Sequence, residues 1–389
     1  MLYLDNAATT PVRPEVLEAM MPYLTRWYGN ASSHHTVGEA AADALADARA
    51  RVARVLGLRA GDIVFTSGGT EANNLAIKGI AVAAALRRDG AAGALRPAHV
   101  ITTPIEHESV LESVAYLERL HGFAATYVPV DEHARVSTDA VAQTLRDDTV
   151  LVSVGYANNE VGTVQDAAAL AAALRERRVP LHLDAVQAAG WLTLSAAELG
   201  YDAISLAGHK LGAPKGTGVL GIRGRIPLEP LLHGGGQERG RRSGTEDVAG
   251  AVGFATALEL AEAERVEASA RVGAIRDRFI ARVLERVPSA RLTGDPVNRL
   301  GGTASFTFAG TSGEAVLLEL ERRGVVSSSG SACAAGSDEP SHVLLAMGIA
   351  PEIAQTAVRF TFPRWLNAPL DAVADAVEAS VAAVSTPGR

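Results

Sequence analysis

Two side chains suited to covalent and acid–base chemistry follow short apolar runs near the middle of the chain. Asp184 ends the run 181–184, and Lys210 comes shortly after the run 203–207. Both runs have the length and pattern of buried strands. Because a carboxylate at the end of a buried strand rarely persists alone, we expect Asp184 to meet a cationic partner.

A glycine turn adds a third element to this chemistry. The residues Thr-Ser-Gly-Gly-Thr-Glu at 66–71 follow a predicted strand and open a predicted helix, where free N–H groups and the helix dipole favour an anion. No Gly-Lys-Ser/Thr follows, which excludes a Walker loop. Alone, the turn also fits an ordinary helix start. With Lys210 and Asp184, it favours pyridoxal phosphate, which needs an imine-forming lysine and an acid at its ring nitrogen.

Lysine is scarce in this chain. Of 36 basic residues, three are lysines, namely Lys78, Lys210 and Lys215, and coding bias explains that scarcity. Arginine could not replace Lys210 at a pyridoxal-phosphate site, because a guanidinium stays protonated and forms no imine. The sequence indicates no role for Lys78 or Lys215.

Cys333 is the single cysteine, and it lies in the small-residue run Ser-Ser-Gly-Ser-Ala-Cys-Ala-Ala-Gly-Ser at 328–337. A lone cysteine is commonly a small buried hydrophobe. Here its Ser, Gly and Ala neighbours offer no core, so we expect an exposed thiol with a chemical role. One cysteine also excludes an internal disulfide and favours a reducing compartment.

Length and charge narrow the function class. A chain of 389 residues exceeds one typical core, which predicts two domains. A net charge of −8 argues against a nucleic-acid partner, with Arg239, Arg241 and Arg242 the one local basic group. Apolar runs stay below the roughly 18 residues of a membrane span and the start lacks a signal-peptide pattern, so we expect a cytoplasmic protein without a membrane partner.

Strand-like and helix-like runs alternate through most of the chain. This alternation predicts right-handed crossovers and an α/β fold with a mainly parallel, doubly wound sheet. Such sheets bind ligands at the carboxyl ends of their strands. The predicted strands are 62–66, 99–103, 125–130, 150–154, 181–184, 203–207 and 217–222, and the predicted helices are 71–88, 106–121, 139–146 and 166–178.

A second, smaller unit is predicted after Thr245. Residues 246–287 read as one long helix or a broken pair. We expect a large domain at 14–255, and a small α+β domain made of 1–13 and 256–389 that carries the cysteine loop at about 327–341. Its predicted strands are 303–308, 325–328 and 357–362, and its predicted helices are 313–323 and 369–384.

Motifs spread in order over essentially the whole chain resemble the cysteine desulfurases, which are class V, fold-type I pyridoxal-phosphate enzymes. The Ser-Ser-Gly-Ser-Ala-Cys run at 328–333 is similar to the branch whose cysteine lies in a long loop. The resemblance implies a seven-stranded, mainly parallel sheet in the large domain. The motifs lie at 3–10, 66–74, 106–110, 158–162, 182–187, 208–210, 233–245 and 329–333.

The resemblance also implies roles in catalysis. Lys210 would bind the cofactor and move the α-proton of the substrate, while His107 would stack on the pyridine ring and handle protons. Cys333 would take the sulfur of L-cysteine as a persulfide and leave L-alanine. From the residues alone, a capping or packed histidine at a helix start is the favoured interpretation of His107.

Further positions would bind the ring or the substrate. The resemblance implies that Asp184 pairs with the ring nitrogen, and that Gln187 and Asn159 bond the ring hydroxyl or the substrate carboxylate. Arg359 would grip that carboxylate by a bidentate fork. Asn159 in a turn and Arg359 in a structural salt bridge are the plainer alternatives.

The phosphate group would be held by Gly69, Thr70 and His209, with Thr245 reaching it from the other subunit of a homodimer. The chain departs from the family at Ala207, where members usually have a serine hydroxyl for the phosphate. Ser205 would lie about 6.6 Å further back on the same strand face, at about 3.3 Å per residue, and is a poor substitute.

Persulfide sulfur in such enzymes passes to an acceptor, either an iron–sulfur cluster scaffold or a tRNA or cofactor thiolation enzyme, so we expect one such protein partner. We expect no resident metal, with Cys333 at most contacting a cluster during transfer. The alternatives are a class V aminotransferase or selenocysteine lyase on the same fold, and a catalytically silent scaffold.

Overall fold

The computed structural model describes residues 1–87, 98–329 and 339–385, so Cys333 lies outside the described residues. The strands are β1 (Leu2–Tyr3), β2 (Ile63–Thr66), β3 (His99–Thr102), β4 (Ala124–Tyr127), β5 (Thr149–Gly155), β6 (Leu181–Asp184), β7 (Ala203–Ala207), β8 (Gly218–Ile222), β9 (Ala290–Leu292), β10 (Thr303–Phe308), β11 (Val325–Val326) and β12 (Ala357–Thr361). The helices are α1 (Pro14–Thr25), α2 (Thr36–Leu56), α3 (Gly69–Arg87), α4 (Glu108–His121), α5 (Thr138–Thr144), α6 (Ala167–Leu174), α7 (Ala196–Leu199), α8 (Val248–Arg286), α9 (Gly313–Arg322), α10 (His342–Ala346), α11 (Pro351–Ala354) and α12 (Asp371–Val384).

The large sheet has seven strands in the order β2-β8-β7-β6-β5-β3-β4. β8 pairs antiparallel with both β2 and β7, and the remaining neighbours pair in parallel. The strands are short and apolar, as strands buried on both faces are. The predicted mainly parallel, seven-stranded α/β sheet is therefore confirmed.

Helices cover both faces of the large sheet. One core joins α1, α2, α6 and the first half of α8 to the sheet, and the other joins α3 and α4 to the opposite face. Among the helices that the structure describes, none is long and apolar enough to cross a membrane.

The long helix α8 connects two hydrophobic cores. Asp247 caps its start by accepting a hydrogen bond from the Gly250 N–H at 2.8 Å. Its first half buries Phe254 in the core of the large sheet, and its second half buries Phe279 in a separate core. The structure thus resolves the predicted "helix or broken pair" into one helix, and the predicted boundary at 255 falls inside it.

The second core surrounds the small antiparallel sheet β12-β10-β9. The N-terminal segment belongs to this unit, since β1 pairs in parallel with β11 and Leu4 is fully buried in the same core. Phe279 makes edge-to-face contacts with Phe306, Phe360 and Phe362 at ring distances of 5.3 to 6.0 Å.

Seven elements were not predicted from the sequence, namely α1, α2, α7, α10, α11, β1 and β9. Both α1 and α2 bury one face at helical spacing, with Val16 and Met20 in α1 and Leu45, Val52 and Leu56 in α2, so their apolar pattern was present in the sequence. β1 and β9 have two and three residues and form only by pairing with strands far along the chain. Such short pairings carry no local pattern.

Replacing Phe279 with alanine should destabilise the protein strongly, because it removes a fully packed ring from the second core. We expect the free energy of unfolding to fall by about 3–5 kcal/mol, measured by denaturant titration. Val266→Ala, on the same helix but 69% exposed, is the control and should cost less than about 0.5 kcal/mol. Equal losses in both variants would contradict this account of the core.

Candidate active site

A cavity of about 280 Å³ opens at the carboxyl ends of the parallel strands. It collects most of the predicted site residues from segments that lie far apart in the sequence. Thr245 does not line this cavity, and Cys333 is outside the described residues. The predicted site residues in the cavity wall are Gly69, Thr70, His107, Asn159, Asp184, Gln187, His209, Lys210 and Arg359.

Lys210 enters the cavity from a short 3-10 turn directly after β7. Its Nζ donates hydrogen bonds to the backbone carbonyls of Ala7 and Ala8, the latter at 2.8 Å. Both carbonyls belong to the N-terminal segment that packs on the small sheet. The lysine amine is therefore held between the two structural units, a contact that the sequence did not indicate.

Asp184 ends β6 and is 9% exposed. Its Oδ2 accepts a hydrogen bond from Asn73 Nδ2 at 2.7 Å, and its Oδ1 accepts one from the Val186 N–H at 3.0 Å. Both donors are neutral, whereas the sequence predicted a cationic partner. These two hydrogen bonds hold the carboxyl group of Asp184 in the cavity wall. The sequence analysis missed Asn73, although it lies inside the motif at 66–74.

His107 has two roles in the structure. It caps α4, where its Nδ1 accepts a hydrogen bond from the Ser109 N–H at 3.0 Å, and it also lines the cavity. The capping alternative is thus observed together with the placement that the resemblance implied. The cap fixes the imidazole on the rigid start of a helix.

Glu106 is a buried residue of the cavity wall that was not predicted from the sequence as a site residue. It is 3% exposed; its Oε1 accepts from the Thr103 hydroxyl at 2.5 Å and its Oε2 from the Gly155 N–H at 2.6 Å. Burial, reinforced by the negative charge of Asp184, raises the pKa of Glu106 to about 8. At neutral pH the carboxyl group of Glu106 is therefore mostly protonated, and Asp184 carries the negative charge at this end of the cavity.

The glycine turn forms the opposite end of the cavity. A Cβ on Gly69 would lie 2.7 Å from Val186 Cγ2 and 3.3 Å from Ala207 Cβ, so the close approach requires glycine. α3 begins at Gly69, and its first two residues line the cavity, which places a helix N-terminus, the kind of site that favours an anion, at this wall. Burial, with the nearby positive charge of Lys210, lowers the pKa of His209 to about 4, so its imidazole is neutral.

The departure at Ala207 has a structural counterpart. Ala207 lines the cavity without a hydroxyl, and the Ser205 Oγ bonds with His182 Nε2 at 2.8 Å inside the sheet. Burial lowers the pKa of His182 to about 3, which keeps that imidazole neutral. Ser205 therefore does not replace the missing serine.

Arg359 comes from β12 of the small sheet and is 2% exposed. Its Nη2 donates to Asp5 Oδ1 at 2.8 Å, and its Nη1 donates to the Asn159 carbonyl at 2.8 Å. The salt-bridge alternative is thus observed, and the same guanidinium lines the cavity. Gln187 donates from Nε2 to the Ala7 carbonyl at 3.1 Å.

Thr245 is exposed and lines a separate cleft with Ser67 and Arg242. Arg242 pairs with Glu71 at 2.9 Å. The other two arginines of the predicted basic group, Arg239 and Arg241, donate to the backbone carbonyls of Ile63 and Gly61. All three arginines therefore contact their own chain.

The described residues on both sides of 330–338 attach to the cavity wall. Ser328 exchanges two backbone hydrogen bonds with Arg359. After the gap, Ser341 donates to the buried Glu160 at 2.5 Å, and His342 Nε2 lies 3.0 Å from the Glu106 carbonyl. The described residues on both sides of the segment 330–338 therefore lie beside the cavity.

The two remaining lysines differ in their surroundings. Lys78 donates to Asn74 Oδ1 at 2.6 Å, and its Nζ lies 4.2 Å from the centre of the Tyr116 ring. This cation–π contact gives Lys78 a packing role on α3. Lys215 is exposed.

The donor set of the cavity fits pyridoxal phosphate. It offers an amine at Lys210, a carboxyl group at Asp184 that accepts hydrogen bonds from two neutral donors, and a helix start at Gly69. These match an aldehyde, a protonated ring nitrogen and a phosphate, respectively.

Glu106→Gln should change how stability depends on pH. The folded protein holds the Glu106 proton up to about pH 8, whereas the unfolded chain loses it near 4.5, so rising pH destabilises the fold across that window. We expect the wild type to lose stability relative to Glu106→Gln between pH 5 and 8, by up to about 1.4 kcal/mol per pH unit. Urea titrations at several pH values measure this difference.

Glu285→Gln is the control for that experiment, because Glu285 is exposed on the same protein. Its stability difference from the wild type should stay constant over the window. A constant difference for Glu106→Gln as well would contradict the protonated state of Glu106.

The chain matches known proteins over most of its length. The model of the family described as Aminotransferase class-V matches residues 2–366. A cysteine desulfurase IscS from Methanosarcina thermophila is 45% identical over 363 residues, which are 93% of this chain and 87% of that protein.

Solved structures agree in fold. A NifS-like protein has a TM-score of 0.86 at 35% identity and covers 98% of each chain. A structure described as SspA in complex with cysteine has a TM-score of 0.81 at 35% identity, covering 94% of this chain and 99% of that one. The predicted fold and the predicted cofactor, pyridoxal phosphate, are thereby confirmed. The chain belongs to the class-V aminotransferase family and, within it, to the cysteine desulfurases.

Proposed function

We propose that this protein converts L-cysteine to L-alanine and passes the sulfur to Cys333 as a persulfide. The observation that carries the proposal is the cavity in which Lys210, Asp184 and Arg359 meet, with the residues before and after the Cys333 segment attached to its wall. A relative of known structure is described as bound to cysteine, which supports the substrate.

When bound, pyridoxal phosphate withdraws electrons from the Cα of an amino acid attached to it. Asp184 serves this chemistry by holding a proton at the ring nitrogen, and Gly69 and Thr70 offer N–H groups to the phosphate. His209 adds a neutral imidazole at that end. Ala207 supplies no hydroxyl, which costs about 0.5–1.5 kcal/mol of cofactor binding for one neutral hydrogen bond.

Lys210 and His107 handle protons in the proposed reaction. The Lys210 amine takes the proton from the substrate Cα and returns a proton during alanine formation, as a positioned general base and acid does. His107, fixed by its capping bond to Ser109, lies on the cavity wall and would stack on the cofactor ring when it is bound. Asn159 and Gln187 bond the ring hydroxyl or the substrate.

Arg359 orients the substrate by its carboxylate. Its two terminal nitrogens already donate to Asp5 and Asn159, so the guanidinium is held in place before the substrate arrives. A preorganised fork loses little entropy on binding a carboxylate.

Cys333 completes the reaction by sulfur transfer. Its thiolate attacks the sulfur of the substrate; an S–S bond forms as the Cβ–S bond breaks, and the electron pair of the broken bond passes to the substrate carbon. Protonation of that carbon yields alanine, and Cys333 keeps the transferred sulfur as a persulfide. Two external thiol groups, such as those of a dithiol, then release this sulfur as sulfide and become oxidised to a disulfide, which returns the Cys333 thiol.

Cys333→Ala should abolish desulfuration and spare cofactor binding. With cysteine and dithiothreitol, the wild type should form alanine and sulfide in equal amounts, and the variant should be slower by about 10³-fold or more because the nucleophile is lost. Absorbance of the bound cofactor should be unchanged. Ser329→Ala, four residues away, is the control and should retain activity.

The same assay separates the alternatives. Transamination to a keto acid without sulfide would replace this proposal with an aminotransferase. A Cys333→Ala variant that keeps its full rate on selenocysteine alone would favour a selenocysteine lyase. A protein that takes up no cofactor would be the silent scaffold.

We further propose that the protein acts as a homodimer. Thr245 is exposed and absent from its own cavity wall, which suits a residue that reaches the phosphate of a second copy. α1 presents Leu17, Met21 and Leu24 on one face at 46–55% exposure, while its other face packs Val16 on the core. This exposed apolar stripe is the surface that a second copy would cover.

Replacing Leu17 and Leu24 together with glutamate should separate the subunits, because it places charge in the apolar contact. We expect a monomer by light scattering and weaker cofactor retention on dialysis. Leu318→Glu is the control, since Leu318 is an equally exposed leucine on another helix. A double variant that remains dimeric would show that the apolar stripe of α1 is not part of the interface.

The sulfur acceptor is proposed at the level of its chemistry. It is a protein with a nucleophilic thiol that takes sulfur from the Cys333 persulfide, either an iron–sulfur scaffold or a thiolation enzyme for tRNA or a cofactor. Such transfer needs reduced thiols, so we propose a cytoplasmic location.

A further inference from the structure

Arg364 lies directly behind the backbone of Lys210. Its Nη1 donates to the Lys210 carbonyl at 3.3 Å, and its Nη2 donates to the Leu211 carbonyl at 3.0 Å. The side chain is 5% exposed. In the part of the chain that the structure describes, no carboxylate forms a salt bridge with it.

The charge of Arg364 is weakly compensated. Burial lowers the pKa of Arg364 to about 10, which still leaves it protonated at neutral pH. Glu264 favours the protonated form of Arg364 and Arg13 opposes it, and both oxygens of Glu264 accept hydrogen bonds from Arg13 at 2.8 Å. Arg364 is therefore a buried cation with little charge compensation, and it lies next to Lys210.

A small cavity of about 30 Å³ separates Arg364 from the lysine side chain. Lys210, Arg364 and Asn6 all line it. Within the described residues, Arg364 Nε and Asn6 Oδ1 are buried and have no hydrogen-bond partner. The space is large enough for one ordered water, which needs about 10–15 Å³.

The front of Lys210 faces a different set of groups. Of these, Asp184 carries a negative charge that favours a protonated lysine, while Glu106 and His209 are neutral near pH 7. Arg359 is paired with Asp5. The titratable groups that line the main cavity with Lys210 are Asp184, Glu106, His107, His209 and Arg359.

We propose that Arg364 is a positioning residue for Lys210, which clamps the backbone of the lysine and, as a buried cation behind it, favours the neutral amine. The inference rests on the proposed role of Lys210 as the cofactor lysine. A neutral amine is required to accept a proton, and Arg364 offsets the opposite influence of Asp184. The clamp also fixes the turn from which the side chain enters the cavity.

Arg364→Gln tests the charge in the holoenzyme. Removing the cation should raise the apparent pKa of the bound-cofactor absorbance by about one unit, a tenfold change in the protonation ratio. Arg299→Gln is the matched control, because Arg299 is equally buried, donates to the carbonyls of Asp295 and Thr293, and does not line the cavity. An unchanged pKa in Arg364→Gln, or an equal rise in both variants, would overturn the proposal.

The cofactor-free protein supplies a second test that needs no catalysis. The chain has three lysines, so competitive acetylation followed by mass spectrometry measures Lys78, Lys210 and Lys215 in one sample. In the wild type, we expect the pKa of Lys210 to lie about one unit below that of the exposed Lys215. This measurement does not require the Arg364→Gln variant to fold. A Lys210 that titrates with or above Lys215 would overturn the inference, whether or not the protein desulfurates cysteine.

Discussion

Parallel pairing of β3, β5, β6 and β7 is the constraint on which the site depends. Parallel strands end at one edge of a sheet, so Gly155, Asp184 and Lys210 meet there although each follows a different strand. The antiparallel strand β8 contributes in another way. A Cβ on Gly218 would lie 2.5 Å from the Gly68 backbone, so the glycine turn packs directly on the start of β8. The phosphate end of the cavity is thereby tied to the same sheet.

Burial determines which groups in this site carry charge. Glu106 keeps its proton up to about pH 8, and the imidazoles of His182 and His209 are neutral because desolvation lowers their pKa values to about 3 and 4. Asp184 remains as the carboxylate that faces the cavity. With Glu106 protonated and His209 neutral, Asp184 is the acid in this wall that would suit the ring nitrogen of the cofactor.

The cavity belongs to both structural units. The large sheet supplies Lys210 and Asp184, whereas Arg359 comes from the small sheet and the carbonyls of Ala7 and Ala8 come from the N-terminal segment. The continuous helix α8 and the buried Leu4 hold these parts together. Packing in the second core therefore supports the geometry at a lysine on the first sheet.

The sequence by itself determined the strand and helix alternation, the parallel sheet, and the identity of the lysine and aspartate. These follow from local hydrophobic period and from residue chemistry, which neighbours along the chain reveal. Only the tertiary structure decided that neutral donors hold Asp184, that Glu106 is protonated, that Asp5 pairs with Arg359 and that Arg364 lies behind Lys210. Each of these depends on contacts between residues distant in sequence and on their burial, and a local pattern contains neither.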